Sequence, residues 1–230
     1  MMKKFSVALA TTALIALAAP LAAQDKSGTN FDAAAPAAAP GGATQAALAQ
    51  DLYAIGMANS DPLTVLAAAK LAASVAFTDV EREMETTGEE VADGPDAADA
   101  PKDAAAMFAD AKALAGEDET LVGLIEDAEA EGSRGRIGGA SRTLSRLPGG
   151  RTDVFKVPFY GNSYAEVAVI GDGDSNLNVL ITDENRNTIC YDVSWSDKVY
   201  CNFTPAWNGY FYITVQNTGR SRNSYYLLTN

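Results

Sequence analysis

The sequence predicts an α+β protein in separate parts: a small acidic α-helical region, then an all-β antiparallel sandwich or jelly roll. Three observations carry this. Apolar residues recur every three to four positions within residues 44–133, the period of a one-sided helix. From Arg151 onward the period becomes two, as in Phe155, Val157 and Phe159, which is the period of a half-buried strand. The charge changes at the same boundary: residues 24–133 carry 22 Asp+Glu against 5 Lys+Arg, and residues 134–230 carry 8 against 10.

Residues 1–23 read as a secretory signal peptide. Lys3 and Lys4 precede a short apolar run, and Leu21-Ala22-Ala23 offers small residues for cleavage. The expected location is periplasmic or secreted, with no transmembrane segment in the mature chain. Residues 24–43 are rich in Ala, Pro and Gly, have no period, and are expected to be a disordered spacer. Leu48, Leu52 and Ile55 then mark a helix. Asp61-Pro62 starts a second, because Asp suits an N-cap and Pro tolerates the first helical position. That second helix is expected to run on to Phe77.

Residues 78–101 hold nine acidic residues against one Arg, with Gly and Pro, and read as a mobile acidic loop. Met107, Phe108, Ala111 and Leu114 give a third helical face. Leu121, Leu124, Ile125 and Ala128 give a fourth, with Asp118 as its cap. Residues 134–150 form a basic linker that contains a candidate first strand, Ser141 to Leu147. It reads either as an anion-binding strip or as an edge strand whose Arg residues face water or the acidic helices.

The β part, residues 151–230, supplies strand candidates at Phe155–Phe159, Ala165–Ile170, Leu177–Ile181, Thr188–Val193, Lys198–Thr204, Phe211–Val215 and Ser224–Thr229. Gly, Asn and Asp turns at 161–162, 172–175, 183–187 and 208–209 separate them. Short strands at this spacing indicate a sandwich or jelly roll. Phe211, Ile213 and Val215 are expected to point inward, which sends Tyr210 and Tyr212 to the opposite face.

Several of these strands and turns, in order, resemble one family. The residues are Asp153-Val154-Phe155-Lys156-Val157-Pro158-Phe159-Tyr160-Gly161, Gly171-Asp172-Gly173-Asp174 with Leu177, Asp183-Glu184-Asn185, and Thr204-Pro205-Ala206-Trp207-Asn208-Gly209-Tyr210-Phe211, then Val215-Gln216-Asn217 and Tyr225-Tyr226-Leu227. Residues 137–230 resemble the bacterial pre-peptidase C-terminal domain-like sandwiches of exported proteins. The resemblance implies an eight- or nine-stranded, non-catalytic sandwich that assists secretion, adhesion or substrate targeting. The sequence departs from the family pattern at Asn176 and Asn178, where relatives tend to carry Asp, and at Arg186, where they often carry Gly.

The chemistry available is limited. The chain has no His, which removes Ser-His-Asp and Cys-His nucleophile activation and the commonest metal ligand. Cys190 and Cys201 are the only cysteines, and in an oxidising compartment they are expected to pair across a hairpin or between strands. Calcium is the one candidate cofactor. Asp172, Asp174 and Asp183, with Asn176 as a neutral oxygen ligand, are its candidate ligands, and the competing reading is that these residues only build tight turns. Trp207, Tyr210 and Tyr212 are candidate ligand-binding aromatics.

A chain this acidic is not expected to bind nucleic acid. The expected partners are an envelope protein or a polysaccharide. The leading reading is an exported, non-enzymatic binding or accessory protein. The alternatives are a carbohydrate- or cell-wall-binding module, which requires Trp207 and Tyr210 to be exposed, and a carboxylate-only hydrolase, which requires a perturbed Asp or Glu in a concave pocket.

Overall fold

The structure, a computed structural model, describes residues 26–91, 94, 100–132 and 139–230. The signal-peptide segment 1–23, Arg134 and Arg136 of the basic linker, and most of residues 92–99 of the acidic loop lie outside the described residues. Among the described residues, no helix is long and apolar enough to cross a membrane.

The described residues hold four helices, α1 (Gly42–Asn59), α2 (Pro62–Ser74), α3 (Ala104–Ala115) and α4 (Glu119–Gly132), the first two separated from the last two by a pair of short strands. Asp61 caps α2 by accepting from the Leu63 N–H at 3.0 Å, and Asp118 accepts from Thr120 and Leu121 at the start of α4. Each carboxylate satisfies donors that the first helical turn leaves unpaired. Val65, Leu66, Met107, Phe108, Ala111 and Ile125 form the buried core of this part.

The spacing of Leu48, Leu52 and Ile55 marks α1 as expected, although Leu48 and Ile55 are exposed. The buried positions of α1 are Gly42, Ala43, Ala46, Ala47, Ala49 and Gly56, because small residues allow close approach to what lies beneath. One expectation fails: α2 ends at Ser74, short of Phe77. From Val75 the chain is β-branched and aromatic (Val75, Phe77, Thr78), and it turns into a strand instead.

The acidic segment holds two short strands, β1 (Ala76–Asp79) and β2 (Met84–Thr87), where a mobile loop was expected. Backbone pairing explains them, as neither has an alternating apolar face. β1 runs parallel to β3 (Gly139–Leu147), and β2 pairs with β4 (Thr152–Phe159). Arg82, between them, is partly buried. It donates to Thr143 and Thr229 hydroxyls and to the Ser141 and Leu227 carbonyls, so it pins this crossover to the sheet.

The remaining strands are β5 (Ala165–Ile170), β6 (Leu177–Asp183), β7 (Thr188–Asp192), β8 (Lys198–Phe203), β9 (Gly209–Asn217) and β10 (Asn223–Thr229). They complete two five-stranded sheets, in the orders β1-β3-β10-β5-β8 and β2-β4-β9-β6-β7. All neighbours other than β1 and β3 are antiparallel. The alternating triplets meet between the sheets as one core: Phe155, Val157 and Phe159, then Leu177, Val179 and Ile181, then Phe211, Ile213 and Val215. One buried carboxylate ties the layers together. Asp153 on β4 accepts from Thr86, Ser145 and Tyr225 hydroxyls at 2.5, 2.7 and 2.7 Å, which compensates its desolvation. Burial beside that carboxylate pushes the Tyr225 phenol well above its ordinary range.

The helices lie against the sandwich. Ala43, Ala46 and Ala47 of α1 pack on Ala168, Ile170 and Leu228, the outward-facing residues of β5 and β10. This is why every residue of β5 is buried. Glu166 sits at the junction with no exposed surface. It accepts from the Gly41 N–H at 2.7 Å, the Thr44 hydroxyl at 2.5 Å and Tyr200 at 3.3 Å. A sheet carboxylate thus caps the N-terminus of α1, where both orphan N–H groups and the helix dipole favour an anion. A Cβ on Gly41 would stand 2.6 Å from Glu166 Oε2, so a larger residue there would have to push the carboxylate aside.

Candidate functional site

Asp183 ends β6, and Asn176 immediately precedes it. Six strand residues lie between them and separate them by about 20 Å. The four proposed calcium ligands therefore do not converge. Asp172, Asp174 and Asn176 belong to one end of the sandwich and Asp183 to the other. Among the described residues, no three His, Cys, Asp or Glu side chains are gathered as metal ligands would be. Asp172 holds a turn, accepting from the Asp174 N–H at 3.1 Å and the Ser224 N–H at 2.7 Å. Burial pushes its carboxyl above the usual range.

At the far end, Asp183 is fully buried. It accepts from the N–H groups of Asn185 and Asn187 at 2.9 and 2.8 Å, making a tight turn. Its other oxygen accepts from the Asn30 N–H at 2.8 Å and the Asn187 side chain at 2.9 Å. Burial acts to raise its pKa, but the hydrogen bonds outweigh it and hold the carboxyl below the usual range. Arg186 in this turn has φ 67°, a left-handed conformation that glycine adopts without strain.

Asn30 belongs to the segment expected to be a disordered spacer. Residues 26–32 of that segment instead lie on the sandwich as a strap. Asn30 is fully buried; its side chain accepts from the Trp207 N–H at 2.9 Å and donates to the Trp207 carbonyl at 3.1 Å. Asn185 donates to the Lys26 and Gly28 carbonyls, and the Asp32 N–H donates to the Thr204 carbonyl at 2.8 Å. Composition misleads here because one asparagine, placed between Asp183 and Trp207, fixes a segment that has no apolar pattern.

The strap also settles Trp207. Its ring is 7% exposed and its Nε1–H donates to Glu184 at 2.6 Å. It is a packing residue, not a presented platform. Tyr210 is 50% exposed with Lys156 4.6 Å above its ring, and Tyr212 lies under Arg186 at 5.5 Å. Beside Tyr210, an open cleft of about 410 Å³ is bordered by Lys26, Tyr160, Glu184 and Asn208. Tyr160 is 77% exposed.

A second aromatic surface lies on the edge where β7 and β8 meet. These are edge strands of opposite sheets, and Cys190–Cys201 joins them with Cα atoms 6.3 Å apart. The disulfide therefore staples one sheet to the other. It does not close a hairpin within one sheet. Beyond it, Tyr191 is 69%, Val193 65% and Trp195 95% exposed. The connection that carries Trp195 is held firmly. The Ser194 N–H donates to Asp192 at 2.7 Å, the Leu177 N–H donates to the Ser196 carbonyl at 3.1 Å, and Asp197 accepts from the Gly173 N–H at 2.6 Å. Sequence reasoning placed Trp195 among neighbouring aromatics without singling it out. Its flanking Ser194, Ser196 and Asp197, a turn-forming set, are the signal that it is displayed.

No family profile matches the chain, and no curated protein matches it. The structure is similar to a pre-peptidase C-terminal domain. That domain comes from a collagenase of Bacillus anthracis, with 9% identity and a TM-score of 0.27, covering 68% of this chain and 94% of that one. A 4-O-methyl-alpha-glucuronidase with specificity for decorated arabinogalactans is also similar, at 8% identity and a TM-score of 0.23. The match covers 55% of this chain and only 24% of the glucuronidase. The sandwich itself rests on its strand order and core, and neither similarity assigns a role to any residue.

Proposed function

We propose that this is an exported, non-catalytic binding protein whose sandwich engages a partner protein at the cell envelope. The observation that carries the reading is the edge built by Tyr191, Val193 and Trp195. Tyr and Trp dominate the energetics of protein interfaces, and a large ring held on a rigid turn loses little entropy on binding. Both requirements are met by Trp195, whose turn is tied down by hydrogen bonds and flanked by the disulfide. The carboxylates that border the Tyr160–Tyr210 cleft, and those that border an open space between the helices and the β5–β10 sheet, favour the same reading. Asp103 caps α3, Glu129 pairs with Lys112, and Glu184 receives the Trp207 indole, so each already has a structural task.

The test uses the mature chain as bait on an envelope fraction, with and without protease digestion of that fraction. Retention lost on digestion, and weakened at least tenfold by Trp195→Ala, is the expected result. Retention that survives digestion and ignores Trp195→Ala would replace this reading with a glycan or lipid ligand. The cleft between Tyr160 and Tyr210 is the observation that favours that second reading, and Tyr160→Ala would then abolish retention.

A further inference from the structure

A cavity of about 400 Å³ lies between the helices and the outer face of the β5–β10 sheet. Its origin is in the sequence. The helical walls present Ala46, Ala72, Ala73 and Ala105, where larger side chains would have filled the space. Across from them lie Ile170, Tyr226 and Leu228, so the interior is apolar. This is the size, character and position, at the junction of two parts of a fold, in which small ligands are commonly held.

The rim carries Arg142 and Lys102 beside Asp103 and Glu129. Arg142 on β3 stands between the rings of Phe77 and Tyr226, its guanidinium carbon 5.0 and 4.7 Å from their centroids. Asp79 engages its Nε and Nη2 at 2.7 and 3.2 Å, which leaves the Nη1 donors. Lys102 also borders the cavity, with one ion pair to Asp110 at 3.2 Å and further hydrogens to give. Ala104 and Ala105 open α3, where the helix has no partners of its own for its N–H groups and its dipole favours an anion. The acids facing the same space are already engaged. Asp103 accepts from the Ala106 N–H at 2.8 Å and Glu129 from Lys112 at 2.7 Å, while Asp79 holds Arg142.

We propose that this cavity binds a small amphiphilic anion, an alkyl chain lying among the alanines with its acidic head at Arg142 and Lys102. The site is separate from the Trp195 edge, so this proposal stands or falls independently of the partner-protein reading.

The full chain is titrated with anilinonaphthalene sulfonate, and the bound dye is competed with dodecanoate, dodecanol, dodecylamine and acetate. Saturable dye binding is expected, with displacement by dodecanoate and none by dodecylamine or acetate. Ala105→Trp should plug the mouth and weaken both dye and dodecanoate at least tenfold at an unchanged melting temperature. Arg142→Gln should weaken dodecanoate by about ten- to a hundredfold, the worth of a charge-assisted hydrogen bond, and leave dodecanol unaffected. Absence of saturable binding, equal displacement by dodecylamine, or dodecanoate affinity unchanged by Arg142→Gln overturns the proposal. Should Ala105→Trp fail to fold, the dodecanoate–dodecanol split in Arg142→Gln still decides it.

Discussion

Replacing Glu166 by Ala should separate the helical part from the sandwich. Glu166 is the only carboxylate on β5, and it receives two strong hydrogen bonds, from Gly41 N–H at 2.7 Å and Thr44 hydroxyl at 2.5 Å. Longer contacts from Thr44 N–H and Tyr200 add less. A hydrogen bond to a charged group contributes about 1.5–3 kcal/mol, and loss of an N-cap costs roughly 0.5–2 kcal/mol. The two overlap, so Glu166→Ala should cost about 3–5 kcal/mol. For a chain of this size that is a fall in melting temperature of roughly 6–20 °C. Glu166→Gln keeps one acceptor and should cost less. Calorimetry gives the midpoint, and amide exchange locates the damage: α1 should exchange faster while β9 stays protected. A shift below about 2 °C, or an Ala variant no worse than Gln, would refute the capping argument.

Three further outcomes follow from the same geometry. The Asp183 carboxyl lies below its ordinary pKa, so its contribution is present above the unfolded value near 4 and is lost as pH falls through the lower folded value. Urea unfolding should therefore show wild type losing stability below about pH 4 more steeply than Asp183→Asn. Replacing Cys190 and Cys201 by Ser should lower stability by about 2–3 kcal/mol, read from urea unfolding with the m-value fitted separately for each variant. Melting in millimolar calcium and in EDTA should give the same midpoint, because Asp183 is a strand's length from Asp172, Asp174 and Asn176. A rise with calcium would show that the folded chain binds the ion.

The sandwich was legible because the period-two triplets at 155–159, 177–181 and 211–215 are strong and separated by turn residues. What escaped was structure held by single polar residues or by backbone alone. β1 and β2 have no apolar face and form by pairing with β3 and β4. The strap is placed by Asn30, which looks like any loop asparagine until Asp183 and Trp207 surround it. The docking of α1 did leave two traces: a lone acid in Ala165-Glu166-Val167-Ala168-Val169-Ile170, and alanines at 43, 46 and 47 on one helical face. The site was less legible than the fold. Spacing put Asp183 near Asp172 in sequence, while a fully extended β6 carries it to the other end. Ser194, Ser196 and Asp197 mark Trp195 as a turn residue in the sequence, whereas the burial of Trp207 depends on the strap, which the sequence did not reveal.

The most direct measurement places a photo-crosslinking residue at position 195 in one variant and at position 160 in another, each in the full chain. Both positions are highly exposed, so accessibility does not separate them. A discrete protein adduct from position 195 and none from position 160 is the result this account predicts. Adducts from position 160 alone would contradict it and move the binding surface to the Tyr160–Tyr210 cleft.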